Sequence, residues 1–299
     1  MTLVTGGAGF IGHALVRALL ERGESVRVLD NFDDAYDASL KAVPAGAELL
    51  RGDVRDSGTV AAALSGVDRV YHLAARAGVR ESLAAPSLYV ENNVGGTSAL
   101  LEGMRRAGVS RLVLASSSSV YGVREGRFSE RDPIAPASPY AATKLGSEHL
   151  AHAAHVTHGC AVSVCRLFTV YGPRQRPAMA IARFIAQIRR GEALTLYGDG
   201  NSVRDYTFVG DAVAGLTAAM DHTGGFHLVN IGGGAPVTLR TLVETLAEVA
   251  RVPLATVSLP DQPGDVPSTR ADIAFAREWL GWTPQVALRE GLGRTLDAM

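Results

Sequence analysis

Cysteine and net charge are both scarce in this chain. Of its 299 residues only two are cysteines, Cys160 and Cys165, and the formal net charge is −1. Two thiols cannot cross-link a domain of this size, and their spacing fits no familiar metal site, so we expect reduced core residues in a cytoplasmic protein. A charge this close to zero gives no electrostatic reason to expect binding to nucleic acid or to an anionic membrane.

Long apolar runs are also missing. No stretch is long enough to span a bilayer, and the first residues enter a strand–turn–helix pattern directly, without the segments of a signal peptide. His152, His155 and His158 lie on a predicted helix without a set of metal-binding partners, so we predict no metal site. These absences favour a globular cytoplasmic protein that binds neither membrane nor nucleic acid.

What the chain has in quantity is glycine, with 33 residues, and a regular alternation of short apolar runs with amphipathic segments. The runs TLVTG, ESVRVLD, AELLRGD, DRVYHLA, SRLVLAS and AVSVCRLF read as strands. Strand–helix alternation predicts the α/β class with a Rossmann-type doubly wound parallel sheet, whose ligands bind at the carboxyl ends of the strands. Proline-bearing loops interrupt this rhythm after about residue 170. We therefore predict a dinucleotide-binding domain over residues 1–170 and a smaller mixed substrate lobe over 171–299, with some chain crossing back.

The first predicted turn has the composition of a phosphate-binding loop. It reads TGGAGFIG, with Gly7, Gly9 and Gly12 in a G-x-G-x-x-G pattern and Gly6 in addition. A strand precedes it and an amphipathic helix follows, so backbone N–H groups can approach a pyrophosphate at the helix N-terminus. Asp30 lies 18 residues after Gly12. Its carboxylate can accept hydrogen bonds from ribose hydroxyls and would repel a 2′-phosphate, so we predict NAD rather than NADP.

Further cofactor contacts are predicted in this turn and at the ends of the next strands. Asp53 and Val54 close the third strand, where adenine would lie, and small residues after the fourth strand leave room for the cofactor. The complete set of additional cofactor residues is Phe10, Ile11, Asn31, Asp53, Val54, Leu73, Ala74 and Ala75.

A second pattern, SPYAATK, indicates proton transfer. Tyr140 and Lys144 stand at i and i+4, on one face of a helix for which Ser138 and Pro139 suit the start. A phenol has a pKa near ~10, and an adjacent ammonium and the helix dipole both favour the phenolate. We therefore expect Lys144 to lower the pKa of Tyr140 far enough for the phenolate to accept a proton from a sugar hydroxyl.

The motifs TGGAGFIG, HLAA, SSSSVYG and YAATK, in this order and spacing, resemble those of the extended short-chain dehydrogenase/reductase family. The resemblance covers essentially the whole chain. It implies that Tyr140 is the catalytic base, that Lys144 supports it and holds the nicotinamide ribose, and that Ser117 assists. It further implies that Asn93 steadies the active-site helix, and that helices near 89–107 and 139–158 pair in a homodimer.

The SSSSVYG segment distinguishes among the members that act on nucleotide sugars. Dehydratases of the family resemble S-T-D-E-V-Y-G at this place and glucuronate decarboxylases S-T-S-E-V-Y-G, whereas this chain has Ser118 and Ser119 where the acids would stand. The missing acid argues against dehydration and, more weakly, against decarboxylation. Epimerisation at C-4, through a transient ketone, is therefore the favoured reaction.

The segments RLFTVYGPRQRPAMA and AGVRES resemble the UDP-glucuronate 4-epimerase branch of the family. The resemblance implies that Thr169, Arg176 and the serines grip the sugar carboxylate, with Arg80 as a further substrate residue. Ala178 departs from the branch, which tends to have an aspartate there. The charge-assisted bonds would hold the carboxylate of a 4-ketoglucuronate, a β-keto acid, away from the alignment that releases carbon dioxide.

The resemblance also reaches the nucleotide end of the substrate. It implies that Arg204 meets the diphosphate and that Gln262 and Asp265 line the nucleotide ribose, while uridine follows from the branch alone. Three alternatives stay open from the sequence: a 4-epimerase of UDP-glucose or UDP-N-acetylglucosamine, a UDP-glucuronate decarboxylase, and a redox sensor that binds dinucleotide without catalysis.

Overall fold

The computed structural model describes residues 1–34, 40–261 and 266–299. The strands are β1 (Thr2–Thr5), β2 (Val26–Asp30), β3 (Glu48–Arg51), β4 (Arg69–His72), β5 (Arg111–Ser117), β6 (Ala161–Leu167), β7 (Thr169–Tyr171), β8 (Leu194–Tyr197), β9 (Val203–Arg204), β10 (Tyr206–Phe208), β11 (Phe226–Ile231), β12 (Val237–Thr238) and β13 (Thr256–Leu259). The α-helices are α1 (Phe10–Glu21), α2 (Ser57–Ala63), α3 (Val79–Ala84), α4 (Pro86–Tyr89), α5 (Gly96–Ala107), α6 (Pro139–His158), α7 (Ala180–Arg189), α8 (Val209–Asp221), α9 (Leu239–Ala250), α10 (Ala274–Leu280) and α11 (Leu288–Ala298). A π-helix spans Val90–Gly95 and a 3₁₀ turn spans Ser118–Tyr121.

A seven-stranded parallel sheet organises these elements. Its strand order is β11-β6-β5-β4-β1-β2-β3, so the order reverses between β1 and β4, where doubly wound sheets bind their ligands. The six predicted strands are all present, and the predicted α/β class with a Rossmann-type sheet is confirmed.

Helices cover both faces of this sheet because alternate strand residues point to opposite sides. In β1, Val4 belongs to a core cluster with Leu15 of α1 and Leu216 of α8, whereas its neighbour Leu3 belongs to a second cluster with Val60 of α2 and Leu100 of α5. Each of these side chains is at most 1% exposed. Both faces are therefore closed, which leaves the carboxyl edge of the sheet as the place for a ligand.

The chain after β7 forms smaller units. Three two-stranded sheets pair β10 with β7, β12 with β9, and β13 with β8, while β11 joins the main sheet beside β6. The division at residue 170 stays a prediction. No helix among the described residues is both long enough and apolar enough to cross a membrane.

Helix α6 begins and ends where local sequence dictates. The Ser138 hydroxyl accepts a hydrogen bond from the Ala141 N–H at 3.2 Å, Pro139 occupies the first helical turn, and Gly159 closes the helix at φ +68°. These caps fix the register of α6, and with it the faces on which Tyr140 and Lys144 stand.

Candidate active site

A cavity of about 440 Å³ opens along the carboxyl edge of the sheet. Most of the predicted site residues line it, although they come from distant parts of the chain. They are Gly6, Gly9, Phe10, Ile11, Gly12, Asp30, Asn31, Asp53, Val54, Leu73, Ala74, Ala75, Ser117, Ser118, Ser119, Tyr140, Lys144, Thr169 and Arg176. The structure thus brings the predicted cofactor residues and the predicted catalytic residues to one cleft.

The glycine turn between β1 and α1 leaves space that any side chain would fill. Gly6 has φ +72°, and a Cβ on Gly12 would lie 2.1 Å from the Gly6 carbonyl oxygen. Gly9 precedes the helix without a side chain, so the first amides of α1 lie open beside the cavity. An open helix N-terminus of this kind suits a pyrophosphate, so these residues fit the one in NAD.

Asp30 closes the adenosine end of the cleft. Its carboxylate accepts hydrogen bonds from the Ala8 N–H at 3.0 Å and the Phe32 N–H at 2.9 Å, which orients both oxygens at the cavity wall. Asn31 donates to Asp53 at 3.0 Å. Hydrogen bonds from Arg55 hold the pKa of Asp53 down to about 2, so this second carboxylate is also an anion. Two fixed anions at this end favour ribose hydroxyls over a phosphate.

Tyr140 lies in the first turn of α6 with its phenol in the cleft. The Ser117 hydroxyl lines the same cleft and accepts hydrogen bonds from the Ser119 N–H at 3.2 Å and the Ser119 hydroxyl at 2.9 Å. Burial raises the pKa of Tyr140, while Ser117 and the charge of Arg176 lower it. Arg176 is therefore a second cation that acts on the phenol, and the effect that we expect of Lys144 on the pKa of Tyr140 stays a prediction.

Lys144 is buried one turn further along α6. Desolvation lowers the pKa of its ammonium to about 8, and the charge of Glu148 opposes that decrease. Near neutral pH the group therefore remains largely a cation, although it can lose its proton in a mildly alkaline solution.

The serine turn and the segment after β6 supply the polar groups of the sugar side. Ser118, Thr169 and Arg176 line the same cavity, and Arg176 donates to the Ala77 carbonyl at 2.8 Å. Because that carbonyl is neutral, the guanidinium charge carries no partner anion in this contact. A carboxylate in the cavity could therefore pair with it.

Two predicted substrate residues, Arg80 and Arg204, are not among the described residues that line the cavity. The guanidinium of Arg80 lies 5.0 Å from the ring centre of Tyr197, and Arg204 donates to the Val203 carbonyl at 2.9 Å. Gln262 and Asp265 lie outside the described residues. The roles assigned to these four residues stay predictions.

Two side chains position α6: Ser82, which sequence reasoning missed, and Asn93, for which the resemblance implied this role. The Ser82 hydroxyl accepts a hydrogen bond from the Tyr140 N–H at 3.1 Å, and Asn93 of the π-helix donates to Thr143 of α6 at 2.9 Å. The contact of Asn93 agrees with the steadying role that the resemblance implied. Sequence reasoning also missed Glu148. Its position four residues after Lys144 was the available signal, but its partners Ser116 and Arg166 lie on strands β5 and β6.

These features are typical of an extended short-chain dehydrogenase/reductase. The sheet is of the Rossmann type, the glycine turn lies at its switch point, and a tyrosine–lysine pair lines the same cleft. A family model described as the NAD dependent epimerase/dehydratase family matches residues 2–232. The chain belongs to this family, and its cofactor is NAD.

Within the family, this chain is similar to several 4-epimerases of UDP-sugars. A UDP-glucuronate 4-epimerase of Thermodesulfobacterium geofontis is 39% identical over 99% of this chain and 94% of its own length. The structure of a UDP-glucuronic acid 4-epimerase from Bacillus cereus, in complex with UDP-glucuronic acid and NAD, aligns with a TM-score of 0.95 and 36% identity over 99% of this chain and 98% of that one. A UDP-glucose 4-epimerase from Thermotoga maritima, with UDP-glucose, aligns with a TM-score of 0.94 and 33% identity over 99% and 97% of the two chains.

Proposed function

We propose that this protein is an NAD-dependent 4-epimerase of UDP-sugars, and that its substrate is UDP-glucuronate, which it converts to UDP-galacturonate. The observation that carries the choice of substrate is Arg176. Its guanidinium lines the cavity close enough to act on Tyr140, and its hydrogen bond there is to a neutral carbonyl. The relatives whose names include UDP-glucuronate support the same choice.

The chain's own residues would move one proton in each direction. Tyr140, as phenolate, takes the proton of the sugar 4-hydroxyl, and Ser117, which lines the same cleft, holds the substrate oxygen in line. NAD, when bound, would supply a reversible acceptor for the hydride of C-4, so the reaction would involve no net oxidation. After the ketone has presented its other face, Tyr140 gives the proton back to the same oxygen.

The sugar carboxylate needs restraint while the ketone exists, because a β-keto acid loses carbon dioxide when its carboxylate stands perpendicular to the carbonyl. Arg176, Thr169 and Ser118 are the groups that we propose for this restraint, while Ser119 donates a hydrogen bond to Ser117. Charge-assisted hydrogen bonds are strong enough to fix such a group. The serine turn also lacks the acid that water elimination requires.

The remaining assignments are proposals of the same kind. We keep Arg204 for the diphosphate, Arg80 for the substrate, Gln262 and Asp265 for the ribose, and residue 170 as the division between the cofactor domain and the substrate lobe.

A homodimer through α5 and α6 is supported by Val156 of α6, which is 67% exposed. A cytoplasmic location is supported by Cys160 and Cys165, which are both buried free thiols. Sedimentation of the wild type and of Val156→Glu tests the dimer.

The decisive experiment supplies UDP-glucuronate, UDP-glucose and UDP-N-acetylglucosamine separately and follows the anomeric protons of the products by NMR. We expect the 4-epimer of the acid sugar to accumulate fastest. The likeness to the Thermotoga maritima UDP-glucose 4-epimerase makes the neutral sugar the second candidate. Stoichiometric release of carbon dioxide would instead show that the protein is a decarboxylase. Absence of turnover with all three sugars would favour the redox sensor that binds dinucleotide without catalysis.

A further inference from the structure

Beneath the catalytic helix lies a buried ion pair that the proposed reaction does not use. The Glu148 carboxylate accepts two parallel bonds from Arg166, from Nε at 3.0 Å and from Nη2 at 2.7 Å. The side chain of Arg166 is 0% exposed and that of Glu148 is 4% exposed. Burial of two charges is costly and usually no more stable than apolar packing, so a retained pair invites a functional explanation.

The pair is fixed by groups on three neighbouring strands. Arg166 of β6 stands level with Ser116 of β5 and with Asn230 of β11 in the sheet register. The Ser116 hydroxyl donates to Glu148, and Arg166 donates to the Tyr121 hydroxyl at 3.1 Å. That hydroxyl in turn donates to Asn230 at 2.7 Å. The carboxylate of Glu148 is therefore held rigidly against the sheet.

Two members of this hydrogen-bonded network, Ser116 and Glu148, connect it to the active site. Ser116 lines the cavity next to Ser117. Glu148 follows Lys144 by four residues on α6, so the two side chains share a buried face of that helix. With the Tyr140 phenolate, Glu148 would be one of two buried anions among the cations Lys144, Arg166 and Arg176, so that each anion has a cation close to it.

We propose that Glu148, fixed by Arg166 and Ser116, is a positioning residue that keeps the Lys144 ammonium charged and in place beside Tyr140. The effect of Glu148 on catalysis rests on the proposed function, whereas its effect on the charge of Lys144 does not. The charge of Glu148 raises the pKa of Lys144 against the effect of burial, which agrees with the geometry.

The other titratable groups near this helix do not supply the same effect. On the elements packed against α6 they are Arg80, Glu81, Tyr89, Glu91, Glu102, Arg105, Arg106, Arg111, Tyr121, Cys165 and Arg166, and His72 of β4 also feels the charge of Lys144. His72 is neutral, since burial and the charge of Lys144 lower its pKa to about 3. Arg166 is a cation that could only oppose a charge on Lys144, so the stabilising anion is Glu148.

The chain offers a direct measurement, because Lys41 and Lys144 are its only lysines. In NAD-loaded protein labelled with ¹³C at lysine Cε, two signals titrate, and Lys41→Arg removes one and thereby assigns the other. We expect Glu148→Gln to lower the measured pKa of Lys144 by about one pH unit, as loss of a nearby opposite charge does. Glu148→Asp, which keeps the carboxylate, should restore most of the difference.

The matched control is Tyr121→Phe, which removes a hydroxyl from the same network without touching the Glu148 charge. It should lower the melting temperature and leave the Lys144 titration where it is. If Glu148→Gln does not fold, the double variant Glu148→Gln/Arg166→Met removes both buried charges. Its Lys144 pKa should fall by less than in the single variant, because loss of the Arg166 cation offsets part of the loss of the Glu148 anion. An unchanged Lys144 titration in a folded Glu148→Gln or double variant overturns the proposal.

Turnover gives a second readout that separates the two proposals. Since the active form needs the ammonium, the alkaline limb of the kcat profile should move to lower pH in Glu148→Gln, by the same amount as the NMR titration. If the wild type turns over no UDP-sugar, the proposed function fails, while the lysine titration still decides the role of Glu148.

Discussion

The two halves of the cleft are built from different parts of the polypeptide. In the cofactor half, the wall is backbone: a glycine turn, an open helix N-terminus and small residues at strand ends. In the sugar half, the wall consists of side chains, with Ser117, Tyr140 and Arg176 arriving from separate elements. The first half is therefore specified by local sequence, whereas the second depends on how distant segments pack.

The difference also appears in the electrostatics. At the adenosine end, Asp53 is partly exposed, and hydrogen bonds from Arg55, two positions along the chain, secure its charge. Asp30 is buried and accepts a hydrogen bond from the Ala8 N–H.

In the sugar half, burial raises the pKa of Tyr140 and lowers that of Lys144, which favours both neutral forms. Ser117 and Arg176, which are distant in sequence, oppose the first shift. Glu148, one turn along α6, opposes the second. Substitutions in the sugar half should therefore affect chemistry most, and those in the cofactor half should affect binding.

The largest effect is expected for Tyr140→Phe. Loss of the only proposed base should reduce turnover of UDP-glucuronate by about a thousandfold, which is typical for removal of a general base. Bound NAD and the melting temperature should stay near wild-type values. Tyr171→Phe, a buried tyrosine away from the cavity, is the control for loss of a hydroxyl. Retention of a tenth of the activity in Tyr140→Phe would refute the proposed role of the phenol.

Arg176→Ala should come second, because it removes one charged contact with the substrate. We expect kcat/KM for UDP-glucuronate to fall by about a hundredfold, the scale of a lost hydrogen bond between charged groups, and that for UDP-glucose to change little. The charge of Arg176 also lowers the pKa of Tyr140. Without it the phenol keeps its proton to higher pH, so the acidic limb of the kcat/KM profile should move upward.

Arg174→Ala is the matched control for Arg176, because Arg174 lies in the same loop but donates to the Leu40 carbonyl at 2.7 Å and does not line the cavity. It should leave the discrimination between acid and neutral sugars intact. Equal losses for both sugars in Arg176→Ala would favour the neutral-sugar epimerase.

The third effect tests the backbone half. Gly12→Ala places a Cβ 2.1 Å from the Gly6 carbonyl oxygen, so the turn must shift. An overpacked contact of this kind costs about 1–3 kcal/mol, and we expect NAD to bind about tenfold more weakly, as measured by calorimetry. Gly224→Ala, where a Cβ would meet no atom within 4 Å, is the control. Unchanged NAD affinity in Gly12→Ala would contradict the close approach of backbone to pyrophosphate.

The sequence predicts the cofactor half of the cleft better than the sugar half. The strands, the glycine turn and the spacing of Tyr140 and Lys144 were predictable because each depends on residues close together in the chain. The Ser82 contact to Tyr140 spans 58 positions and the Glu148–Arg166 pair spans 18, and no local pattern encodes either. The stacking of Arg80 on Tyr197 likewise depends on tertiary packing, which a motif comparison does not contain.

The smallest effect concerns the salt bridge at the adenosine end. Arg55 donates to Asp53 at 2.9 and 2.7 Å, but its side chain is 39% exposed, so solvent weakens the pair. Arg55→Ala should therefore lower the free energy of unfolding by only about 0.5 kcal/mol near neutral pH. Urea unfolding measures this, with Arg190→Ala, which breaks an exposed pair outside the cleft, as the control.

The pH dependence of that small effect has a definite sign. The pKa of Asp53 is depressed to about 2 in the folded protein, against about 3.9 in an unfolded chain. Its stabilising contribution is complete above about pH 4 and is lost as the pH falls through about 2. The difference between Arg55→Ala and the wild type should therefore shrink over that interval. A difference that persisted at pH 2 would mean that Arg55 stabilises the cofactor half by packing rather than by its charge.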